Sequence, residues 1–359
     1  MIRRDAEQIV EALGPHLRQL AGTTLMVTGG SGFLCSYLFE TVACFNDASG
    51  MSPCRMLCVD NLKSGVATRV AHLIGRPDFR FIEHDASQPL ALDEDVQWIV
   101  HGASIASPML YRQFPLETID VNVNGTRLML ELARRRGVRS LLYLSSSEIY
   151  GNPPPECIPT PETYVGAVSC TGPRACYDES KRLGETLCGI YHRTFQVPVK
   201  TVRPFNVYGP GLRLDDKRII PDFISDALGG GPLTLLSDGR ATRSFCYVSD
   251  AIEGLWRVLL SSCDGEAFNV GNDAEEVTVA DVAAALQRVA GDPPLTIQYR
   301  RSPDADYLTD NPERRRPDLT KIRSTFDWTP RISLTEGLSR TLEHYRERLG
   351  RGEKKGRGE

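Results

Sequence analysis

Thr24-Leu-Met-Val-Thr28, run on without a break into Gly29-Gly-Ser-Gly32-Phe33-Leu34-Cys35, decides the fold of this chain. Five residues suited to a buried strand lead straight into a glycine-rich turn, and an apolar helical pattern from about Phe33 to Phe45 follows. Gly29 falls where the turn is tightest, and Gly32 where a pyrophosphate has to approach the backbone, with the amino end of the next helix facing the phosphate charge. A glycine-rich turn alone is weak evidence, because any sharp turn favours glycine. The strand before it and the helix after it make it a dinucleotide fingerprint.

Outward from this stretch, short apolar runs alternate with helical patterns. The runs are RMLCVD (55–60), FRFIEHD (79–85), WIVHGAS (98–104), SLLYLSSSEIYG (140–151) and VKTVRPFNVYG (199–209); helices are expected over about 116–136 and around Tyr177. Strands that are nearly all apolar imply a parallel sheet covered on both faces, so the expected class is α/β, a Rossmann-type doubly wound sheet. Ligands on such sheets bind at the carboxyl ends of the strands. Those ends are Asp60-Asn61, Asp85-Ala86, Ala103-Ser104 through Ser107, Ser145 to Glu148 and Arg203 to Asn206. Asp60 is placed to accept from both adenosine ribose hydroxyls and to repel a 2'-phosphate, which points to NAD rather than NADP. Its long separation from the glycines is explained by a polar insertion, FNDASGMSPCR (45–55). Cys35 stands where the fingerprint has its third glycine, so the helix is expected slightly away from the sheet.

The chain has 359 residues, 41% hydrophobic and 25% charged, with a formal net charge of -4. That charge offers no global attraction to nucleic acid or anionic membrane, and no apolar run approaches a spanning helix. A cytoplasmic protein acting on a small molecule is expected. Ten cysteines without paired CxxC spacing read as reduced thiols, with no metal site. Ile9, Val10, Leu13, Leu17 and Leu20 recur at helical spacing, so residues 5–20 are expected to form an accessory amphipathic helix. The expected divisions are an N-terminal extension (1–22), a dinucleotide-binding domain (23–203, with 245–270 returning to it), a smaller mixed substrate-binding lobe (204–345) and a disordered tail (346–359).

Chemistry concentrates in TGPRACYDESKRLGETL (171–187). Tyr177 and Lys181 share one helix face, and an ammonium beside a phenol is expected to lower its pKa from about 10 towards neutrality. Such a phenolate can take the proton of a carbinol while hydride leaves its carbon. Ser146, at the end of the preceding strand, supplies a third hydrogen-bonding group.

These residues together resemble the extended short-chain dehydrogenase/reductase family that acts on nucleotide sugars, over residues 24 to about 345. Within it, ASIASPMLYRQFP (103–115), GPRACYDESKRLGET (172–186), ATRSFCYVSDAIEGL (241–255) and NPERRRPDL (311–319) are most similar to the UDP-glucuronate decarboxylases. The resemblance implies catalytic roles for Ser146, Glu148, Tyr177, Lys181 and Arg315. It implies cofactor contacts from Phe33, Leu34 and Arg218 besides the glycines and strand ends, and substrate contacts from Ser107, Tyr111, Asn206, Arg243 and Arg315. It also implies a UDP-linked sugar as partner and a homodimer built on the 116–136 and Tyr177 helices, with Leu128, Leu132, Leu183 and Leu187 on the shared face. Two positions depart from that pattern: Asp120, where those enzymes carry lysine, and Gly211 in place of arginine. A nucleotide-sugar 4,6-dehydratase, a 4-epimerase and a non-catalytic dinucleotide-binding regulator are the other readings these residues allow.

Overall fold

The computed structural model describes residues 1–303, 309 and 311–350. Its centre is a seven-stranded, all-parallel sheet. The strands are β1 (Thr24–Thr28), β2 (Arg55–Asp60), β3 (Phe79–Glu83), β4 (Trp98–His101), β5 (Ser140–Leu144), β6 (Val199–Pro204) and, after four short strands of the lobe, β11 (Ala267–Val270). Their spatial order is β11-β6-β5-β4-β1-β2-β3, so the chain reverses direction between β1 and β4. Register is in step across this reversal: Thr28 lies opposite both Val59 and His101, and His101 opposite Tyr143. The carboxyl ends therefore share one edge.

All five residues of β1 and of β5 are buried, because apolar layers cover both faces. One layer joins α1 (Ile2–Leu13), α2 (Phe33–Ser49), α8 (Val248–Leu259) and the lobe; the other is built from α5 (Thr126–Arg136) and α6 (Ala175–Phe195). The expected 116–136 helix is interrupted. A helix α4 (Pro115–Asp120) passes through a π turn (Val121–Gly125) into α5. Close packing accompanies the bulge: a Cβ on Gly125 would stand 3.1 Å from the Ala86 carbonyl, and buried Asn122 donates to Ser180 Oγ at 2.8 Å.

The N-terminal helix differs from expectation in extent and in weight. It is α-helical over Ile2–Leu13 and then tightens to a 3-10 turn (Gly14–Leu20), because Pro15 has no N–H to donate. It is part of the core and no accessory. Asp5 is fully buried, accepts from Tyr37 and Tyr247, and pairs with Arg340 of α11 (Leu334–Gly350) at 3.2 Å.

The lobe mixes strand directions. β7 (Val207–Tyr208) runs parallel to β10 (Cys246–Tyr247), and β8 (Leu233–Leu235) to β13 (Ile297–Tyr299). β9 (Thr242–Arg243) pairs antiparallel with β12 (Val277–Thr278) and parallel with β14 (Arg314–Arg315). Around them pack α7 (Ile219–Leu228) and α9 (Val279–Ala290), while α10 (Thr320–Phe326) lies against β11 of the central sheet. Residues 346–350, expected in a disordered tail, continue α11; 351–359 lie outside the described residues.

Candidate active site

Two adjoining cavities follow the carboxyl edge of the sheet. The first, about 280 Å³, is lined by Gly29, Gly32, Phe33, Leu34 and Cys35 at one end and by Ser146, Tyr177 and Lys181 at the other. The second, about 430 Å³, extends into the lobe past Ile219, Arg243, Phe245 and Asn311. Tyr111, Glu148, Arg174, Asn206 and Arg218 line both, and so mark their junction.

At the glycine end the turn leaves no room for side chains. Gly29 has φ 67°, and a Cβ there would lie 2.7 Å from Ala103 Cα; one on Gly32 would lie 2.9 Å from the Gly29 carbonyl oxygen. Cys35 is accommodated by a glycine across from it, since a Cβ on Gly102 would come within 2.3 Å of its sulfur. The substitution is thus matched by a small neighbour on the sheet. Burial, with the Asp60 charge second, pushes this thiol up to about 12, leaving it an unreactive filler.

Asp60 departs from its expected geometry. Its carboxylate turns back to the glycine-rich turn, accepting from Ser31 N at 3.0 Å, Ser31 Oγ at 2.6 Å and Leu62 N at 2.8 Å. Of roughly four lone-pair positions on a carboxylate, about one stays open, too few to serve two ribose hydroxyls in this arrangement. Asp60, Asn61, Asp85, Ala86 and Ala103 are not among the residues lining either cavity. Asn61 instead donates to Asp85 at 3.1 Å, and Asp85 caps Ser87, while Ala86 and Ala103 are buried. Ser104 and Ser107 do line the first cavity. Sequence reasoning missed Arg69, a cation on this cavity that donates to the Ser31 and Gly211 carbonyls; it follows the strand by too many residues for any motif to flag it.

At the other end, Ser146, Tyr177 and Lys181 meet, but not with the expected electrostatics. Lys181 Nζ donates to the Leu144 carbonyl at 2.7 Å and lies 5.9 Å from the Tyr177 ring centre. Burial raises the phenol to about 12, against the opposing hydrogen bond with Ser146, and burial lowers Lys181 to about 7. Desolvation dominates at both groups, so the lysine alone does not make the phenol acidic. Tyr111 stacks on Tyr177 with ring centres 5.2 Å apart.

Glu148 is held by two guanidinium groups. Arg174 pairs with its Oε2, and Arg315 Nη2 lies 3.1 Å from the same oxygen. Burial opposes its charge, yet Arg174, Arg315, Arg243 and Arg218 together hold it below its ordinary value. Arg315, expected to contact substrate, lines neither cavity; it donates to the carbonyls of Ser147 and Gly151 and to Glu148 Oε2. The guanidinium that pairs with Glu148 and also lines both cavities is Arg174, which the sequence displayed inside its GPRACY run but gave no separate reason to single out. Asn206, at φ 41°, donates to the Ser244 carbonyl, and Arg243 donates to Asn311 Oδ1 at 3.0 Å on the wall of the second cavity. Arg218, expected on the cofactor, stands at the junction paired with Asp216. Asp120 is exposed on α4, away from both cavities.

A dinucleotide fits the first cavity. The glycine cradle admits close backbone approach, and the buried hydroxyls of Ser104 and Ser107 have no hydrogen-bond partner among the described residues. A parallel sheet of this order, with serine, tyrosine and lysine gathered at its carboxyl edge, defines a short-chain dehydrogenase/reductase. The model of the NAD dependent epimerase/dehydratase family matches residues 25–271, and the chain belongs to that family. It is 40% identical over 335 residues to UDP-glucuronic acid decarboxylase 2 of Arabidopsis thaliana, covering 93% of this chain and 71% of that protein. With UDP-glucuronic acid decarboxylase 1 of Xenopus tropicalis it shares 38% over 328 residues, 90% and 72% of the two chains. Among solved structures it is similar to dTDP-glucose 4,6-dehydratase from Bacillus anthracis in complex with NAD, with TM-score 0.76 and 26% identity over 91% of this chain and 97% of that one.

Proposed function

We propose that this protein is an NAD-dependent decarboxylase of UDP-glucuronate, yielding the corresponding pentose nucleotide and carbon dioxide. The observation that carries the reading is Arg174 standing with Glu148 at the junction of the cavity over the glycine turn and a second cavity rimmed by basic residues. The relatives named UDP-glucuronic acid decarboxylases support it.

Gly29, Gly32, Phe33, Leu34 and Ser104 would hold NAD, which when bound would supply a hydride acceptor and later the hydride donor. Tyr177 takes the proton of the carbon 4 hydroxyl, with Ser146 holding that oxygen. A ketone at carbon 4 lies β to the carboxylate, so carbon dioxide can leave with its bonding electrons delocalised into an enolate. Arg174, backed by Arg315 through Glu148, stabilises this developing charge. Glu148 delivers a proton to carbon 5, and Tyr177 returns one to the carbon 4 oxygen. Arg243, Asn206, Ser107, Tyr111 and Arg218 are read as contacts to the nucleotide and sugar.

The 4,6-dehydratase alternative asks for no substrate carboxylate beside Arg174, a 4-epimerase acting on UDP-glucuronate is separated from the decarboxylase by its product, and a non-catalytic regulator leaves the Ser146-Tyr177-Lys181 cluster without a task. Incubation with NAD and UDP-glucuronate tests the reading: a pentose nucleotide and carbon dioxide are expected by mass spectrometry, and an intact six-carbon product overturns it. The homodimer belongs to the same proposal with a revised surface. Leu132 is buried and Leu128 and Leu187 pack towards the sheet, whereas Leu116 and Ile119 of α4 and Leu183 and Ile190 of α6 are exposed. No helix among the described residues is long and apolar enough to cross a membrane, and a cytoplasmic site of action completes the reading.

A further inference from the structure

Behind the junction of the cavities, two acids and two guanidinium groups are packed together. Arg174 Nη2 pairs with Glu148 Oε2, while Arg174 Nε lies 3.6 Å from Asp178 Oδ2, and Arg315 Nη2 joins Glu148 at 3.1 Å. Asp178 is 4% exposed, and its Oδ1 has no hydrogen-bond partner among the described residues. With all four groups ionised the charges cancel, but an ionised carboxylate with an unmet buried oxygen is a costly arrangement.

The two acids are not equivalent. Glu148 has close contacts to both guanidinium groups, whereas Asp178 has one, and a longer one. The charged and titratable groups around Asp178 are Glu148 beside β5, Arg174 and Tyr177 of its own helix region, Cys176, Tyr111 from the helix after β4, and Arg315 of β14. Burial first, and the Glu148 charge second, push Asp178 up to about 7, despite Arg174 and Arg315. Of the coupled pair, Asp178 is the one that takes a proton.

Within this packed cluster a substrate carboxylate at Arg174 would set three anions against two cations unless one acid is protonated; Arg243 and Arg218 act on Glu148 from outside the cluster and make no ion pair with Asp178 among the described residues. We propose that Asp178 is a proton store: it takes up a proton when a carboxylate-bearing nucleotide sugar docks against Arg174, and releases it when that carboxylate leaves as neutral carbon dioxide. The proposal rests on the decarboxylase reading above. The chemistry requires such a proton. When the bond between carbon 5 and the carboxylate breaks, its electron pair passes into the enolate, and a new C–H bond at carbon 5 needs one proton per turnover. Asp178 lines neither cavity, so it acts as a positioning residue, and Glu148, which lines both, hands the proton on.

The test is calorimetry on the NAD-bound Tyr177→Phe protein, which binds without turning over, at pH 8 in buffers of different ionisation enthalpy. Uptake approaching about one proton per UDP-glucuronate is expected, with none for UDP-glucose, and Asp178→Asn in the same background removes it. As an independent measure, affinity for UDP-glucuronate weakens up to about tenfold per pH unit above pH 7, while that for UDP-glucose stays flat. Equal uptake with both ligands, or uptake retained after Asp178→Asn, overturns the proton store and leaves the decarboxylase reading standing. Binding of UDP-glucose without any binding of UDP-glucuronate overturns both.

Discussion

Lys181 sets its ammonium 2.7 Å from the carbonyl oxygen of Leu144, at the end of β5. The lysine thus ties α6 to the sheet edge, and burial depresses its pKa to about 7. Between about pH 7 and the unfolded value near 10.5, the unfolded chain holds a proton that the folded chain does not, so stability rises with pH across that window. Below it, the full cost of the buried charge remains. Lys181→Met should stabilise the NAD-free protein at neutral and lower pH by on the order of 3 kcal/mol, flatten the pH dependence between 7 and 10.5, and abolish turnover. Thermal unfolding across that range is the check; a variant less stable than the parent at pH 6 contradicts it.

On the proposed reading, Arg174, which lines both cavities, forms a charge-assisted pair with the substrate carboxylate. Arg174→Gln should weaken UDP-glucuronate binding by about 10- to 100-fold, corresponding to about 1.5–3 kcal/mol, and UDP-glucose binding by about threefold or less. Equal losses for the two ligands would assign Arg174 to general architecture instead.

Arg315 answers three acceptors at once: the Ser147 and Gly151 carbonyls and the Glu148 carboxylate. An ammonium cannot reproduce that planar fork. Arg315→Lys should therefore lower kcat well beyond any change in KM, and Arg315→Ala should also cost about 3–5 kcal/mol of stability, because Glu148 loses part of its compensation. Chemical denaturation and steady-state kinetics on both variants separate the two effects.

Asp5 couples α1 to α11 and to two core tyrosines. Asp5→Ala takes away the buried acceptor of Tyr247, while Tyr37 keeps the Pro210 carbonyl and Arg340 keeps Gln8 and Glu336, and should destabilise the fold by about 2 kcal/mol. Removing residues 1–13 also strips Ile9 and Leu13 from the core and should lower the unfolding temperature further. An N-terminal deletion as stable as the full chain would show α1 to be dispensable.

Leu183 is 45% exposed on α6, on a strip with Leu116, Ile119 and Ile190. Under the proposed homodimer, the parent should scatter light as a dimer and Leu183→Glu as a monomer, without lower unfolding cooperativity. An unchanged mass would place the subunit contact elsewhere.

The strand-turn-helix at Thr24–Cys35 and the Tyr177-Lys181 helix were legible because each rests on local rules: near-continuous apolar strands, glycine where no Cβ fits, and residues four apart on one helix face. The break at Val121–Gly125 was not, since Asn122 and Gly125 answer to Ser180 and Ala86, which no periodicity connects to them. Cys35 read as a defect until Gly102, 67 positions on, proved to make room for it.

By itself, the sequence determined the parallel sheet, the dinucleotide turn and the set of side chains that meet at its edge, because these follow from patterns within a few residues. Tertiary structure decided what those side chains do to each other. Burial turned the expected acidification of Tyr177 into its opposite, Asp60 was spent on bracing Ser31, and Arg174 rather than Arg315 came to face the cavities. The reason is physical: desolvation and charge coupling depend on which groups converge from distant segments, and that is fixed only when the chain closes.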